Sequence, residues 1–211
     1  VISRINYAQR KGGLQELHKR VLQAINGLLD KACQEAAQPA SSLMQLSLAG
    51  NTVMTHLLLG LEPEYIRLAP YCPTVHQPNA YSAGQLGLSA HASAPVHIAP
   101  SVGSYVGGDI VAGLLCTPLS LPEAGELRLY LDIGTNGEVA LGDGDFLLTC
   151  ACSAGPAFEG GGMQCGMRAA KGAIERVQVD PETGLPQPEI IGEGPAAGLC
   201  GSGAIDLLAS L

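Results

Sequence analysis

The sequence has no tryptophan, few other aromatic residues and few charged ones. Aromatic residues make up 4% of its 211 residues and charged residues 14%, against roughly 25% charged in a typical soluble domain. With so few aromatic side chains, the chain lacks the stacking surfaces that bind single-stranded nucleic acid. Hydrophobic residues make up 46%, which is enough apolar surface to form a core and argues against disorder.

Basic residues are also scarce, since 11 Lys and Arg stand against 19 Asp and Glu for a formal net charge of -8. This balance disfavours nonspecific nucleic-acid binding and a polybasic membrane anchor, because both need clustered positive charge. No apolar run approaches the ~20 residues of a transmembrane helix. We therefore expect neither a nucleic-acid partner nor a membrane partner.

Seven cysteines, an odd number, are spread along the chain without the framework of a small secreted domain. Free thiols are typical of a reducing compartment, so we expect a cytoplasmic protein. The sequence starts at Val1 instead of Met and stops within an apparently helical stretch. We expect it to be a fragment of a longer protein.

Glycine and proline are abundant, at 28 and 14 residues, and they separate helical from extended patterns. Apolar residues at three- and four-residue spacing predict a helix over residues 14–37. A short buried strand is predicted over 43–49, and Asn51 is predicted to cap a helix over 52–59 that ends at Gly60. Six prolines fall within residues 62–100, which predicts a long irregular or partly extended insert with a strand over 96–99.

The second half of the chain is richer in strands. A short apolar helix is predicted over 109–115, and alternating residues predict a three-stranded meander over 127–152. A further hairpin is predicted over 173–191, turning at 181–184, and a helix begins near Gly201. The change in texture at 118–125 predicts a boundary between two lobes, 1–122 and 123–211.

The strongest candidate site is the turn at residues 132–138, where a strand ends in Asp132 and a glycine-flanked turn follows. Gly134 and Gly137 carry no side chain to keep an anion from the backbone amides, and Thr135 and Asn136 add donors. Asp132 is a hard oxygen ligand that suits Mg2+ directly or through water. A plain hairpin with favourable turn residues explains the same pattern.

Three further segments place small residues before a helix. Gly201, Ser202 and Gly203 open the last helix, where a phosphate or a flat ligand can approach the backbone. A packed helix start with Ser202 as its cap is the simpler interpretation. Gly107 and Gly108 precede a helix in the same way, and Asp109 is its N-cap or first-turn acid. Asn51 is the candidate of the third segment, between a predicted strand and the helix over 52–59.

Residues 150–162 combine two cysteines with a glycine-rich run that contains Glu159. The spacing of Cys150, Cys152 and Cys165 is poor for zinc, so we predict buried thiols. Glu159 is a candidate polar group near a ligand. The sequence contains neither a P-loop nor a nucleophile elbow, and its five histidines show no ligand spacing.

Taken in order, these segments resemble the actin-like ATPase superfamily of acetate and sugar kinases, heat-shock chaperones and actin. The strings VISRINYA, LAGNTVMTHLLLG, LDIGTNGEVAL, CSAGPAFEGGGMQCGM and GLCGSGAIDLLA resemble the ATP-binding part of the reductive activators of corrinoid proteins. The resemblance implies an α/β, ribonuclease H-like fold, present in part, with two lobes of mixed sheets flanked by helices. It makes residues 132–137 the second phosphate-binding hairpin, 102–115 a connecting helix and 198–206 the adenosine motif.

The resemblance also implies a function. Members use ATP and Mg2+ to drive an electron onto an inactive Co(II) corrinoid and restore Co(I), through an iron–sulfur cluster in an N-terminal ferredoxin-type domain. The implied partner is the corrinoid protein of a cobalamin-dependent methyltransferase system, and a homodimer is left open. Asp132 is then the magnesium residue, while Asp109, Glu138 and Glu159 are secondary candidates that position water or metal.

Two features that the family resemblance leads us to expect are not found in the sequence. The first phosphate hairpin, an Asp-x-Gly-Thr-Thr turn, is expected upstream of Val1, and no ferredoxin-type cysteine run is present. We therefore expect the fragment to be inactive alone. Two alternatives stay open: a small-molecule kinase of the same fold with Asp109 as its base, and a nucleotide-binding regulatory module.

Overall fold

The computed structural model describes residues 1–120, 126–134, 136–152 and 163–210 of the chain. The chain divides into two compact units. The first comprises Val1–Tyr130 and Val139–Cys150, and the second Leu131–Glu138 and Ala151–Leu211. The predicted lobe boundary between 122 and 123 lies outside the described residues.

The described residues form helices, strands and three single 3-10 turns. The helices are α1 Ile2–Ala8, α2 Gly13–Glu35, α3 Thr52–Leu59, α4 Ala83–Leu86, α5 Gly108–Leu115 and α6 Gly201–Ser210. The strands are β1 Leu46–Leu48, β2 Tyr81–Ser82, β3 Pro95–Ile98, β4 Arg128–Ile133, β5 Gly137–Gly142, β6 Leu147–Cys152, β7 Ala173–Val179, β8 Pro186–Ile190 and β9 Gly198–Leu199. They make three sheets with the orders β1-β3-β2, β4-β5-β6 and β8-β7-β9.

The first sheet forms the centre of the first unit. β1 runs parallel to β3 with Leu46 opposite Val96, and β2 pairs antiparallel on the other side of β3. Leu46 and Val96 are buried, and α2 packs Leu22 and Ile25 against this cluster. The apolar stripe that predicts α2 from the sequence therefore packs on the sheet through its middle part, while its first part packs on a second cluster formed by residues of α1 and α3.

Helix α3 begins and ends as predicted. The Asn51 side-chain oxygen accepts a hydrogen bond from the Met54 amide at 2.9 Å, which satisfies one of the free amides of the first turn. Gly60 ends the helix with φ of 66°, a conformation that glycine adopts without strain. α1 was not predicted, because seven residues are too few to show a periodic pattern.

The proline-rich insert at 62–100 is more regular than predicted. It contains β2, α4 and β3, and Ser82 and Gln85 form a reciprocal capping box at the start of α4. The predicted strand at 96–99 is present as β3, one residue earlier. Short elements with local caps replace the long irregular loop that the prolines indicate.

A buried histidine ties the insert to α3. His56 is fully buried, and its Nδ1 lies 2.7 Å from the Thr52 carbonyl oxygen while its Nε2 accepts from the Thr74 amide at 3.0 Å. These partners require a neutral ring with the proton on Nδ1. Burial lowers the pKa of His56, and the nearby His76 lowers it further, although the bond to Thr52 acts in the opposite direction.

The predicted three-stranded meander is present as β4, β5 and β6. Its alternating apolar face is exposed among the described residues, with Leu131 54% and Ile133 72% accessible. The prediction that Cys150, Cys152 and Cys165 are buried thiols is wrong, since all three are exposed. Cys150 and Cys152 share one face of β6 as predicted, but that face carries no covering layer in the part of the chain that the structure describes.

The second unit contains the predicted hairpin, β7 and β8, with Val177 opposite Pro188. Pro186 and Pro188 lie on an edge strand, where a residue without an amide donor is tolerated and discourages further strand pairing. β9 pairs parallel with β7. The sequence does not predict β9, because a strand of two residues shows no alternating pattern. Within the described residues, no helix combines the length and the apolar character that crossing a bilayer requires.

The buried ring of His56 predicts an acid-sensitive fold. Because its pKa is lower in the folded chain than in the unfolded one, the unfolded chain binds the proton more readily as the pH falls below about 6.5. We expect the free energy of unfolding in denaturant to decrease between pH 7.5 and 5.5. His56→Gln is expected to weaken this pH dependence and to cost about 1–3 kcal/mol at pH 7.5, because the glutamine amide does not reproduce the geometry in which the ring meets both the Thr52 carbonyl oxygen and the Thr74 amide.

His97 provides the matched control for this test, since its side chain is exposed on β3. His97→Gln is expected to leave both the stability and its pH dependence close to those of the unsubstituted chain. An unchanged pH dependence in His56→Gln would contradict the role given to the buried ring.

Candidate functional site

The turn after β4 gathers the leading candidates of the second unit. Asp132 is half-buried near the end of β4, and the Gly134 amide donates to the Asn136 carbonyl oxygen at 2.9 Å to close the turn. β5 begins at Gly137 and carries Glu138. Thr135 lies outside the described residues. The predicted site residues on this hairpin are therefore neighbours, with Asp132 before the turn and Glu138 after it.

The two glycines of this turn have different surroundings. Within the described residues, the atoms nearest to a Cβ added at Gly134 would be the Asn136 carbonyl oxygen at 3.8 Å and an Asp132 carboxylate oxygen at 3.9 Å. A Cβ at Gly137 would lie 3.1 Å from the Cys152 sulfur, whose thiol donates to the Gly137 carbonyl oxygen at 3.2 Å. Among the described residues, Gly134 therefore has room for a Cβ beside a carboxylate, whereas Gly137 is packed against β6.

The donor set around Asp132 suits a metal that brings its own ligands. Among the described residues, no group of three or more His, Cys, Asp or Glu side chains could enclose a metal ion. Mg2+ is commonly held by one or two carboxylates, with waters and substrate phosphates as its other ligands. The hairpin therefore fits Mg2+ that arrives with phosphates and does not fit a fully protein-bound metal.

The start of α6 is a close contact between a helix and a strand. A Cβ at Gly203 would lie 2.3 Å from the Ile174 carbonyl oxygen, so only glycine lets α6 approach β7 this closely. Gly201 and Gly203 are buried, and Ser202 is exposed. α6 begins at Gly201, so Ser202 lies inside the first turn and does not cap the helix, contrary to the simpler interpretation of this segment.

Cys200 is a polar contact at this helix start that the sequence analysis missed. It is 1% exposed, its amide and its thiol both donate to the Ile174 carbonyl oxygen, and its sulfur lies 3.2 Å from the Ser202 hydroxyl. Burial alone would raise the pKa of the thiol, but hydrogen bonds from Ser202 and from the Gly203 amide outweigh burial and lower it. Its position directly before a helix was the available signal.

The other candidates lie in the first unit, where α5 meets the ends of β1 and β3. A Cβ at Gly107 would lie 2.5 Å from the Asn51 Cα, and one at Gly108 would lie 2.5 Å from the Ala99 carbonyl oxygen. The Asp109 amide donates to the Gly50 carbonyl oxygen at 3.2 Å. The two glycines thus serve close packing, and this packing brings Asp109 beside Asn51 as the predicted first-turn acid of α5.

Asn51 and Asp109 border a groove of about 500 Å³ that lies within the first unit. Its other lining residues come from α2, from α3 and from the ends of β1 and β3. The sequence predicts Asn51 and Asp109 as separate candidates, and the structure brings them to one place. Glu159 lies outside the described residues.

Comparison with known proteins assigns both parts of the chain. A family model described as "RACo middle region" matches residues 1–121, and one described as "C-terminal domain of RACo the ASKHA domain" matches residues 126–211. A solved structure titled "Reductive activator for corrinoid,iron-sulfur protein" is similar over 100% of this chain and 33% of its own, with 46% identity and a TM-score of 0.81.

Two curated proteins are also similar. The "Corrinoid activation enzyme RamQ" of Eubacterium limosum is 34% identical over 100% of this chain and 35% of its own length. The "[Co(II) methylated amine-specific corrinoid protein] reductase" of Methanosarcina barkeri is 40% identical over 40% of this chain and 15% of its own. The chain therefore spans about a third of RamQ and a smaller part of the other relative.

The different surroundings of the glycines predict different responses to an added methyl group. Gly203→Ala places a Cβ against the Ile174 carbonyl oxygen and is expected to destabilise the chain by about 1–3 kcal/mol. Gly134→Ala places its Cβ at ordinary contact distance from the described residues and is expected to change the melting temperature little. Thermal unfolding followed by circular dichroism distinguishes them, and equal melting temperatures for the two variants would contradict the close contact between α6 and β7.

Proposed function

Because the chain belongs to the family of reductive activators of corrinoid proteins, we propose that it is the ATP-binding and ATP-hydrolysing part of such a protein. The matching family model and the similar solved structure confirm the predicted family and the predicted actin-like ATPase fold. The observation that carries the proposal is the similarity to a reductive activator over the whole chain. In the full-length protein, the free energy of ATP returns an inactive Co(II) corrinoid to Co(I).

The physical need for ATP follows from the electron transfer. Reduction of the Co(II) centre is uphill for ordinary donors, so electron transfer alone leaves most of the corrinoid oxidised. A nucleotide that binds two conformations of the protein with different affinity supplies a coupling free energy between the two sites. ATP binding and hydrolysis then favour the conformation in which the electron reaches cobalt.

The residues of the second unit carry the nucleotide chemistry in this proposal. Asp132 binds Mg2+ directly or through water, and the turn at residues 134–137 binds the β- and γ-phosphates through backbone amides other than that of Gly134, which donates to the Asn136 carbonyl oxygen. The room beside Gly134 supports this assignment, because no described atom lies closer than 3.8 Å to a Cβ added there. Gly201, Ser202 and Gly203 face the adenosine, with Ser202 as the exposed group of the three.

The remaining candidates have secondary roles. Glu138 follows the phosphate turn directly and positions water or metal, as does Glu159. Asn51, Gly107, Gly108 and Asp109 are the candidates of the first lobe, residues 1–122, with Asn51 at the start of α3 and the other three at the start of the connecting helix. The two glycines are packed against other parts of the first unit, so Asn51 and Asp109 are the members of this group that contribute polar side chains.

Other parts of the full-length protein complete the reaction. We place an iron–sulfur cluster in a domain N-terminal to these residues, which passes one electron to cobalt. The corrinoid protein of a cobalamin-dependent methyltransferase system is the partner that receives it. We extend the proposal to a cytoplasmic protein, in keeping with seven free cysteines, and to a homodimer.

A small-molecule kinase is the weaker alternative. It requires a carboxylate base beside a polar pocket that binds a sugar or an acid. The groove beside Asp109 has mostly apolar walls, so the geometry does not favour a polyhydroxylated substrate. Turnover of ATP by the full-length protein would exclude the other alternative, a regulatory module that binds ATP without hydrolysing it.

Asp132→Ala in the full-length protein tests the nucleotide site. Without the carboxylate that holds Mg2+, we expect the rate of ATP hydrolysis to fall by roughly a hundredfold or more. Phosphate release at saturating MgATP measures the rate, and circular dichroism checks that the fold is retained.

Asp145→Ala is the matched control, because Asp145 is an exposed carboxylate in the turn between β5 and β6. This variant is expected to hydrolyse ATP at the normal rate. Near-normal turnover in Asp132→Ala would remove Asp132 from the magnesium site, and equal losses in both variants would also contradict the assignment.

A further inference from the structure

The first helices of the chain carry an unusual share of its positive charge. Residues 1–20 hold five of the 11 basic residues and one of the 19 acidic residues. The five basic side chains are all exposed: Arg4, Arg10, Lys11, Lys19 and Arg20. The remainder of the chain is strongly acidic, so this segment is a local basic surface on an acidic molecule. Such a surface attracts a partner of negative charge.

Side-chain contacts compensate the one carboxylate among these residues. The Tyr7 hydroxyl donates to Glu16, and Arg20 donates to the same carboxylate through Nε at 3.0 Å and Nη2 at 2.8 Å. The Arg10 guanidinium lies over the Tyr7 ring, 5.3 Å from its centroid. Within the described residues, Arg10 and Lys11 form no ion pair. Their charges are therefore available to a partner.

Exposed tyrosines continue this basic surface. The Arg67 guanidinium donates to the Gln9 side-chain oxygen at 3.2 Å, which joins the segment around Arg67 to the end of α1. Tyr65 and Tyr71 lie close to Arg67 in sequence and are 57% and 49% exposed. The Tyr71 ring contacts that of Tyr105, which is 48% exposed, at a centroid distance of 5.9 Å. Half of the chain's six tyrosines thus lie exposed on segments joined to the basic residues.

We propose that Arg10, Lys11, Tyr65, Tyr71 and Tyr105 form a docking face, the Tyr–Arg face, for an acidic surface of a partner protein. Tyrosine and arginine are enriched in the cores of protein–protein interfaces, because they bury a large apolar area and still donate hydrogen bonds. Basic side chains around such a core guide an acidic partner during association. A nucleic acid is disfavoured, because the net charge of the chain, -8, repels phosphates.

The partner protein is the corrinoid protein, and this step rests on the proposed function. The Tyr–Arg face shares no residue with the proposed nucleotide site. Substitutions in the face therefore leave the residues that bind MgATP unchanged, and the binding of the partner protein is measured apart from ATP hydrolysis.

Binding of the Co(II) corrinoid protein to the full-length protein tests the proposal. The full-length protein is immobilised, and association and dissociation are followed by biolayer interferometry under anaerobic conditions without nucleotide. Because the two docking surfaces carry opposite charge, we expect the association rate constant to fall about tenfold between about 50 and 300 mM NaCl.

Substitutions separate the contribution of charge from that of the tyrosines. Lys11→Glu is expected to lower the association rate constant about fivefold at 50 mM NaCl and little at 300 mM, since salt screens the reversed charge. Lys31→Glu is the matched control, because it makes the same change on an exposed lysine near the other end of α2, and its rate is expected to stay within about twofold of the unsubstituted protein. Tyr65→Ala is expected to raise the dissociation rate constant about tenfold at both salt concentrations, because apolar contacts are not screened. Circular dichroism checks that each variant folds.

Four results would overturn the proposal. They are no binding of the corrinoid protein, an association rate constant that does not fall with salt, equal effects of Lys11→Glu and Lys31→Glu, and unchanged dissociation in Tyr65→Ala. Binding of duplex DNA that is lost in Lys11→Glu, with binding of the corrinoid protein retained, would also overturn it and assign the face to nucleic acid.

The proposed function fails separately from this inference. Binding through the Tyr–Arg face without ATP-dependent formation of Co(I) would contradict the proposed function and leave the docking face in place. Formation of Co(I) with unaltered binding in both Lys11→Glu and Tyr65→Ala would support the proposed function and overturn the docking face.

Discussion

The close approach of two helix starts to the backbone of other elements determines where the candidate residues of α5 and α6 lie. Gly107 and Gly108 let α5 lie against the segments that follow β1 and β3, and Gly203 lets α6 lie against β7. A single added methyl group would overlap with backbone atoms at each of these positions. These helix starts thus position polar groups by packing, whereas Gly134 has room for a Cβ beside the Asp132 carboxylate among the described residues.

Much of the fold could be predicted because its local patterns are strong. The stripe on α2, the cap at Asn51 and the alternation of β4 all depend on residues within a few positions of one another. α1 and β9 were missed because they are short and depend on tertiary packing for their formation. The exposure of Cys150 and Cys152 depends on what covers the sheet, which an alternating pattern cannot specify.

The candidate site was predictable in its residues and less so in its geometry. Glycine in a turn or at a helix start is equally compatible with a phosphate site and with a tight contact. Only the distances from an added Cβ to its neighbours distinguish Gly134 from Gly137 and Gly203. The groove is lined both by residues of α2 and by Asp109, which lies more than eighty positions later in the chain. No local sequence pattern can therefore reveal it. Cys200 was overlooked because a thiol is an uncommon partner at a helix start.

The most direct test of the proposed function follows cobalt in the full-length protein. Under anaerobic conditions, the protein, a reductant and a Co(II) corrinoid protein are mixed with MgATP or without nucleotide, and Co(I) is followed by its visible absorbance. The account predicts Co(I) only with MgATP, in a protein with about two irons per chain. Equal reduction without nucleotide, or a protein that contains no iron, would contradict it.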